Sequence, residues 1–285
     1  MEETPVVGPW RDWMDRIQSK GYARRQSMVL VNGLCEQPES WFRNVGFWRR
    51  YFDVSMPSLL CYDGAALQGR IEADKPITVD YLVDELKEYL DRFVQSPPYH
   101  LVAASLGGKV VVELAARHPE IIGRVVLLCP SGLGDSEHLP IVDGVRRSDL
   151  STIISSAFFD ARRIDPKLEV FYQRQFADRR WRSGLLRTIR GTMGHSVRER
   201  LAQVKAPTLI ISGREDKIVC AREAASASKL LPQGHYLCLS RCGHAPQMEK
   251  PGFINRLVVH FLASPQPGTQ LPLTPTSFAR PSSLL

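Results

Sequence analysis

The stretch from Tyr99 to Pro119, "YHLVAASLGGKVVVELAARHP", sets a serine between a buried strand and a buried helix. Residues 99–104 form a short apolar run that predicts a strand. Residues 106–118 carry apolar side chains at helical spacing. The first glycine of the nucleophile motif G-x-S-x-G is absent. Ser105 is therefore either a nucleophile on a sharp strand-to-helix turn or an ordinary serine at that corner.

The positions around Ser105 test the steric side of this motif. Residues two before and two after the serine must be small, because the strand and the helix approach closely there. These positions hold Ala103 and Gly107, and Gly108 extends the small surface. Alanine meets the steric demand, so the missing glycine weakens the motif without breaking it.

Strands and helices alternate on both sides of this stretch. Continuous apolar strands that alternate with helices predict an α/β fold, with a mostly parallel central sheet and helices on both faces. Thr78 is the expected N-cap of the first of these helices. The predicted strands are 27–33, 53–64, 99–104, 123–132, 206–213 and 235–240, and the predicted helices are 78–94, 106–118, 220–231 and 251–262.

The segment 133–205 contains helical stretches and no clear strand. We interpret it as a helical cap inserted into a core formed by residues 1–132 and 206–262. Such a cap would cover the sheet edge at which ligands bind in open α/β sheets. The first 27 residues include a short amphipathic pattern that predicts a helix. The final residues, 263–285, are rich in Pro, Ser and Thr and are predicted to be a disordered tail.

Composition narrows the class of protein. No apolar run approaches the roughly 18 residues that cross a bilayer, and the N-terminus lacks the apolar region of a signal peptide, so we expect a cytoplasmic protein with no membrane span. The net charge is +7. The basic residues are scattered among acids and no recognition motif accompanies them, so no nucleic-acid partner is predicted.

The cysteines give little sign of a cofactor. The stretch "CLSRCGH" brings Cys238, Cys242 and His244 close together, which raises the question of a metal site. No second pair of ligands completes a set of four, so we predict neither a metal nor another cofactor.

A catalytic serine needs two partners. Its hydroxyl is a weak nucleophile until a base removes the proton, and that base needs an acid to orient it. In α/β sheets of this type the order along the chain is serine, acid, histidine, each after a strand. Asp216 follows the strand 206–213, and His244 follows the last predicted strand. This order favours the interpretation of Ser105 as a nucleophile.

With these motifs the chain resembles the α/β-hydrolase superfamily, from Ser27 to Leu262. The resemblance lies in "VNG", "YDG", "AASLGG", "GREDKIV" and "GHAPQMEKP". It implies a nucleophile, an acid and a base, and an oxyanion hole made of two backbone N–H groups. In that order these residues are Ser105, Asp216 and His244 for the triad, and Leu34 and Leu106 for the oxyanion hole. Asn32 stands where family members often have histidine.

Other residues compete for these roles. Glu215 is adjacent to Asp216 and is a competing acid. In some relatives the acid follows the preceding strand instead, and in that case Asp135 would be the acid here. Asp216 could instead pair with Arg214 or Lys217. Three other histidines carry no motif. Of these, His100 is expected to be structural, whereas His138 and His195 are placed where they could touch substrate.

The segment 133–205 also holds aromatic residues interleaved with arginines. The aromatics could line an acyl or aryl pocket, but helical spacing favours packing within the segment for most of them. The arginines could select an acidic substrate or a partner, but a solvated face is favoured. The aromatic residues are Phe158, Phe159, Phe171, Tyr172, Phe176 and Trp181, and the arginines are Arg162, Arg163, Arg174, Arg179, Arg180 and Arg182.

The leading functional hypothesis is a serine hydrolase that cleaves a small-molecule carboxylic ester through an acyl-enzyme. The same triad serves C–C bond hydrolysis, lactone opening or perhydrolysis in proteins of this fold, because fold does not choose the reaction. A third hypothesis is a non-catalytic protein that binds a ligand or a partner. The sequence does not indicate an oligomeric state.

Overall fold

A computed structural model describes residues 25–36, 38–62, 64–134 and 150–263 of the protein. The predicted N-terminal helix, Asp135, His138 and the predicted tail beyond Ala263 lie outside these ranges. The strands are β1 (Ser27–Val31), β2 (Asp53–Ser55), β3 (Tyr99–Ala104), β4 (Ile122–Leu128), β5 (Thr208–Gly213) and β6 (Gly234–Leu239). The helices are α1 (Val45–Trp48), α2 (Ala65–Glu72), α3 (Val79–Phe93), α4 (Leu106–Arg117), α5 (Leu150–Ala157), α6 (Pro166–Ala177), α7 (Arg179–Thr192), α8 (Ala221–Ser228), α9 (Pro246–Glu249) and α10 (Pro251–Ala263).

The six strands form one sheet in the order β2-β1-β3-β4-β5-β6, and every pair is parallel. Alternate residues of the inner strands enter two separate apolar clusters, one on each face of the sheet. Both faces are therefore buried, which explains why the strands read as continuous apolar runs. The predicted α/β class, with a parallel sheet between helices, is confirmed.

Helix α3 shows how the sequence directs packing. Its apolar side chains recur at helical spacing, and Val79, Leu82 and Leu86 are fully buried against the sheet. The hydroxyl of Thr78 accepts a hydrogen bond from the Tyr81 backbone N–H at 3.2 Å, so the predicted N-cap is confirmed. No helix in the described ranges combines the length and apolar character needed to cross a membrane.

The register of the sheet aligns three strand ends. Ala104 of β3 pairs with Leu128 of β4, and Leu128 pairs with Ile211 of β5. Two residues further on, Gly213 pairs with Leu239 of β6. Because the strands are parallel, the loops that follow β3, β5 and β6 all leave from the same edge of the sheet.

Strand β2 and helix α2 are among the elements that differ from the expectations from sequence. The stretch 53–64 is expected to be a strand that ends in a loop, and the strand itself, β2, is short and ends at Ser55. Pro57 has no N–H to donate to a strand ladder, and β2 is an edge strand whose one partner among the described strands is β1. Helix α2 was not expected, because its sequence "AALQGRIE" mixes polar and apolar residues and includes a glycine.

The described part of the segment between β4 and β5 contains helices α5, α6 and α7 and no strand. Helix α7 is capped by Asp178, whose carboxylate accepts backbone N–H groups from Arg180 and Trp181. Trp181 is fully buried and meets Tyr62 edge-on, with ring centroids 5.1 Å apart. Four of the six aromatic residues named above are buried, in agreement with the packing interpretation: Phe158, Tyr172, Phe176 and Trp181.

Candidate active site

Ser105 occupies the sharp turn between β3 and α4. Its backbone has φ +48° and ψ −118°, in the region that a residue with a side chain seldom adopts. The turn is held by hydrogen bonds on both sides: the Ser105 N–H donates to the Leu128 carbonyl at 3.0 Å, and the Ser105 carbonyl accepts from Gly108 at 2.9 Å. Backbone strain of this kind costs about 1–3 kcal/mol and persists at sites where geometry matters.

The close approach predicted around Ser105 is present. A Cβ on Gly107 would lie 2.6 Å from the Val31 carbonyl oxygen, and a Cβ on Gly33 would lie 2.8 Å from the Ser105 Cβ. Ala103, which replaces the first motif glycine, is fully buried at the end of β3. The end of β1 and the residues after it therefore pack closely against the serine turn. Alanine fits at position 103 in this packing.

Asp216 and His244 form a hydrogen-bonded pair. Asp216 Oδ2 lies 2.8 Å from His244 Nδ1, and their side chains are only 1% and 11% exposed. Asp216 Oδ1 accepts the backbone N–H groups of Ile218 at 2.8 Å and Val219 at 3.1 Å. Burial raises the pKa of Asp216, but the charge and hydrogen bond of His244 and the two N–H donors lower it more. The net shift favours the ionised carboxylate, which fixes the proton of a neutral imidazole on Nδ1.

Glu215, the competing acid, and Lys217, a competing partner of Asp216, bond to other groups. Glu215 Oε2 accepts the Cys242 backbone N–H at 3.0 Å. Lys217 Nζ donates to the Ser155 carbonyl at 3.0 Å, and His244 is the ion-pair partner found for Asp216 among the described residues. Asp135 lies outside the described residues.

The two other histidines weighed above that the structure describes have structural partners. His100 is buried and its Nε2 lies 3.0 Å from Gln26 Oε1, and burial together with the Arg124 charge lowers its pKa to about 4. His195 Nε2 lies 3.1 Å from Glu113 Oε1. Neither is hydrogen-bonded to a triad candidate.

A small pocket of about 20 Å³ joins Ser105 to both residues predicted for the oxyanion hole. In the described part of the chain, the backbone N–H groups of Leu34 and Leu106 meet no acceptor. Leu106 is the first residue of α4, where a helix has no acceptor of its own for the N–H. The pocket is lined by Leu34, Ser105, Leu106, Lys109, Ser131, Ile189, Thr192, Met193, Ile218 and Val219.

A further carboxylate, not anticipated from the sequence, holds the loop that carries Leu34. Glu36 Oε2 accepts the Gly33 backbone N–H at 2.8 Å, and Glu36 Oε1 accepts from Gln247 Nε2 at 2.9 Å. Asn32, the residue at the usual histidine position, donates from Nδ2 to Ser40 Oγ at 3.2 Å. Glu36 and Gln247 are 211 positions apart, so no local pattern could have indicated their contact.

A metal site was considered for Cys238, Cys242 and His244. Among the described residues, the group whose ligand atoms lie within 4.8 Å of one another consists instead of Cys129, Asp216 and His244. Burial raises the pKa of Cys129 well above its usual value, which keeps the thiol protonated and unsuited to bind a cation. Asp216 and His244 already bond to each other, so this group fits a catalytic pair better than a metal.

The chain is similar to several known hydrolases. Monoacylglycerol lipase abhd6-B of Xenopus laevis is 25% identical over 277 residues, which covers 85% of this chain and 77% of the relative. A 2-hydroxy-6-oxo-6-phenylhexa-2,4-dienoate hydrolase of Comamonas testosteroni is 27% identical over 179 residues, covering 57% of this chain and 62% of the relative. The crystal structure of carboxylesterase CesB from Bacillus subtilis has the same fold, with a TM-score of 0.68, 20% identity and coverage of 84% of each chain.

The family model described as the alpha/beta hydrolase family matches residues 28–257, which is most of the chain. The matched range contains the serine turn, the Asp216–His244 pair and the loop of Leu34. Together with the parallel sheet, this match shows that the chain belongs to the alpha/beta hydrolase family.

Proposed function

We propose that the protein is a serine hydrolase that cleaves carboxylic esters through an acyl-enzyme, with Ser105 as nucleophile, His244 as base and Asp216 as orienting acid. The observation that carries the proposal is the 2.8 Å Asp216–His244 hydrogen bond at the sheet edge that also bears the strained Ser105 turn. The relative named as a monoacylglycerol lipase supports an ester as substrate.

The first half of the reaction forms the acyl-enzyme. His244 Nε2 takes the hydroxyl proton as Ser105 Oγ attacks the ester carbonyl carbon, and the carbonyl electron pair moves onto oxygen. When the tetrahedral intermediate collapses, the bond to the alkoxy group breaks. The imidazolium returns its proton to the departing alcohol, and the acyl group stays on Ser105.

The second half releases the acid. A water molecule replaces the alcohol, gives a proton to His244 and attacks the acyl carbon. Collapse of the second intermediate frees the carboxylic acid and restores the Ser105 hydroxyl. Asp216 stays ionised throughout, keeps the imidazole oriented and stabilises its positive form.

The oxyanion is stabilised by the backbone N–H groups of Leu34 and Leu106. Both residues line the pocket at Ser105, and neither N–H has an acceptor among the described residues. Donors fixed in advance cost no reorganisation when charge develops, and losing one typically costs about 10²–10³ in rate.

The substrate class follows from the pocket lining. Most of the side chains around Ser105 are apolar, including Ile189, Ile218 and Val219. An apolar acyl group fits this lining better than a charged one. In this proposal, the helical segment between β4 and β5 acts as a cap, because Ile189, Thr192 and Met193 of that segment close the pocket. No nucleic-acid partner is proposed, and the cytoplasmic location stays a prediction from the sequence.

The direct test is covalent labelling by a fluorophosphonate probe together with hydrolysis of p-nitrophenyl butyrate. Wild-type protein is expected to be labelled and active, and Ser105→Ala is expected to lose labelling and about 10⁶ in kcat. Ser131→Ala is a matched control, because Ser131 lines the same pocket. Labelling that survives Ser105→Ala would contradict the assignment of the nucleophile.

A second candidate reaction is C–C bond hydrolysis on the same triad, supported by the Comamonas testosteroni relative named above. A panel of a monoacylglycerol, short p-nitrophenyl esters, lactones and a vinylogous diketone ring-cleavage product separates the two. An ester turned over at the highest kcat/KM supports the proposal. A folded protein that turns over none of these compounds and is not labelled by the probe would be a binding module instead.

A further inference from the structure

We propose that Glu36 is a positioning residue, whose carboxylate ties the loop of Leu34 to the loop of His244. This inference rests on the proposed function, since it assigns Glu36 a part in the same acyl transfer. The residue lies two positions beyond Leu34 and touches no reacting atom in the proposed mechanism.

Both carboxylate oxygens of Glu36 are hydrogen-bonded. One carboxylate oxygen accepts the Gly33 N–H at 2.8 Å and the other accepts Gln247 Nε2 at 2.9 Å. The Glu36 N–H also donates to the Gly33 carbonyl at 3.3 Å. Both oxygens act as acceptors of N–H donors, which is the pattern of an ionised carboxylate and not of a protonated acid.

The two groups that donate to the Glu36 carboxylate, Gly33 and Gln247, lie next to two different site residues. Gly33 immediately precedes Leu34, so its N–H bond to Glu36 fixes the peptide that leads to the proposed oxyanion donor. Gln247 lies three residues after His244 and is fully buried. Its carbonyl accepts from Asn44 Nδ2 at 3.2 Å, which anchors α9 to the core. Glu36 therefore joins the loop of Leu34, which lines the pocket at Ser105, to the helix that follows His244.

Glu36 also interacts with His244 through its charge. Burial raises the pKa of Glu36, and the Gly33 hydrogen bond, the positive charge of His244 and the Gln247 hydrogen bond limit that rise without reversing it, so the pKa stays above its usual value. The other titratable groups that face Glu36 are Cys35, Tyr62 and Tyr172. Burial, the largest cause, raises the pKa of each well above its usual value, which keeps them neutral. His244 is thus the group among these that can carry a charge opposite to that of Glu36.

The titratable groups near His244 among the described residues include three that come from three different loops. Asp216 bonds to its Nδ1, the thiol of Cys129 lies within 4.8 Å of the pair, and Glu36 interacts through its charge. Two negative charges near an imidazolium favour its formation, as acyl transfer requires. Removing one of them should make the free imidazole harder to protonate.

The experiment measures kcat/KM for p-nitrophenyl butyrate and the fluorophosphonate labelling rate from pH 5 to pH 9. In Glu36→Gln, the amide oxygen can still accept the Gly33 N–H, but the new NH2 faces the NH2 of Gln247. The bond to position 247 then forms only if the Gln247 amide turns over, which takes its N–H groups away from their acceptor. We expect kcat/KM to fall about 10- to 100-fold, less than the loss of an oxyanion donor. We also expect the acidic limb of the pH profile to move to lower pH by about one unit. An unchanged acidic limb would overturn the proposal.

The double variant Glu36→Gln with Gln247→Glu distinguishes positioning from general damage. The amide introduced at position 36 can accept from Gly33 and donate to the carboxylate introduced at position 247. Both hydrogen bonds then return, with the polarity of one reversed. Activity at the pH optimum should rise at least several-fold above that of Glu36→Gln alone, a coupling that adjacent residues show in a double-mutant cycle. A double variant no more active than the single one would contradict the link between the loops.

Glu113→Gln is the matched control. Glu113 is a buried carboxylate that pairs with Arg117, Arg200 and His195, away from Ser105. Its variant should lose stability and keep the wild-type pH profile. The outcomes also separate the two proposals. Wild-type protein that is not labelled at Ser105 ends the proposed function, whereas labelled wild type with an unaltered Glu36→Gln variant ends only this inference.

Discussion

Glu215 and Asp216 are adjacent in sequence, yet their carboxylates serve different partners. Glu215 Oε2 accepts the Cys242 backbone N–H at 3.0 Å, whereas Asp216 Oδ2 lies 2.8 Å from His244 Nδ1. One acid therefore holds the backbone of the histidine loop, and the other holds the histidine ring. The two roles can be separated by substitution.

Asp216→Asn is expected to lower kcat by about 10⁴, because an asparagine amide can stabilise the wrong imidazole tautomer and cannot balance the imidazolium charge. Glu215→Gln keeps an oxygen for the Cys242 N–H, so its kcat should fall less than about tenfold. Steady-state hydrolysis of p-nitrophenyl butyrate measures both. Equal losses in the two variants would mean that Asp216 only supports the loop.

Gly107→Ala should damage both stability and activity. The added Cβ would meet the Val31 and Asn32 carbonyl oxygens at 2.6 and 2.7 Å, and backbone atoms cannot move aside without shifting the loop of Leu34. Overpacking of this kind costs about 1–3 kcal/mol. Urea denaturation measures the free energy of unfolding, and the esterase assay should show a loss of at least about tenfold.

Gly69→Ala is the control for that substitution. Gly69 lies in helix α2, and a Cβ there would meet no atom within 4 Å. Alanine is favoured over glycine inside a helix by about 1 kcal/mol, so this variant should be slightly more stable than wild type. The two alanine substitutions are thus expected to change stability in opposite directions. A loss of stability in both would refute the steric explanation for Gly107.

His100 should make the protein less stable in mild acid. Its pKa in the folded state is about 4, below the value of about 6.5 expected in the unfolded chain. Between these values the unfolded chain binds a proton that the folded protein does not. The stability is therefore complete above about pH 6.5 and declines by about 3 kcal/mol as the pH falls to about 4.

Urea denaturation at pH 7 and at pH 4.5 tests this prediction. His100→Gln should remove most of the decline attributed to this group, since glutamine does not titrate. His118→Gln is the control, because the His118 side chain is 37% exposed and lies near the surface acid Glu120. If wild type and His100→Gln lose the same free energy of unfolding between the two pH values, another group is responsible.

The fold was largely predictable because it depends on patterns that are local in sequence. The apolar runs of β1, β3, β4 and β5 and the capped helix after Thr78 each carry their own signal. The end of β2 carries no such signal, because Pro57 ends the strand pairing with β1 within a stretch of sequence that stays apolar. Helix α2 has no clear apolar stripe, and its stability comes from contacts with α7 that only the folded chain makes.

The Asp216–His244 contact could be expected because each residue follows a strand and parallel strands end at one edge. Glu36 could not be identified in this way. Its partners Gly33 and Gln247 are recognised only when the chain brings them together. Likewise, Asp216 bonds to His244 and Glu215 bonds to Cys242 because their side chains point in different directions. The sequence of two adjacent acids does not specify these directions.

The histidine loop is also bonded to the helical segment above it. The backbone N–H of His244 donates to the Ala157 carbonyl at the end of α5 at 2.7 Å, and the Phe159 N–H donates to Glu249 at 2.9 Å. A substrate that entered by lifting α5 would detach His244, the proposed general base, from its support just before proton transfer. An entrance beside Met193, which is 60% exposed at the end of α7, leaves these bonds intact. With such an entrance, substrate enters without breaking the hydrogen bonds that hold the His244 loop in place.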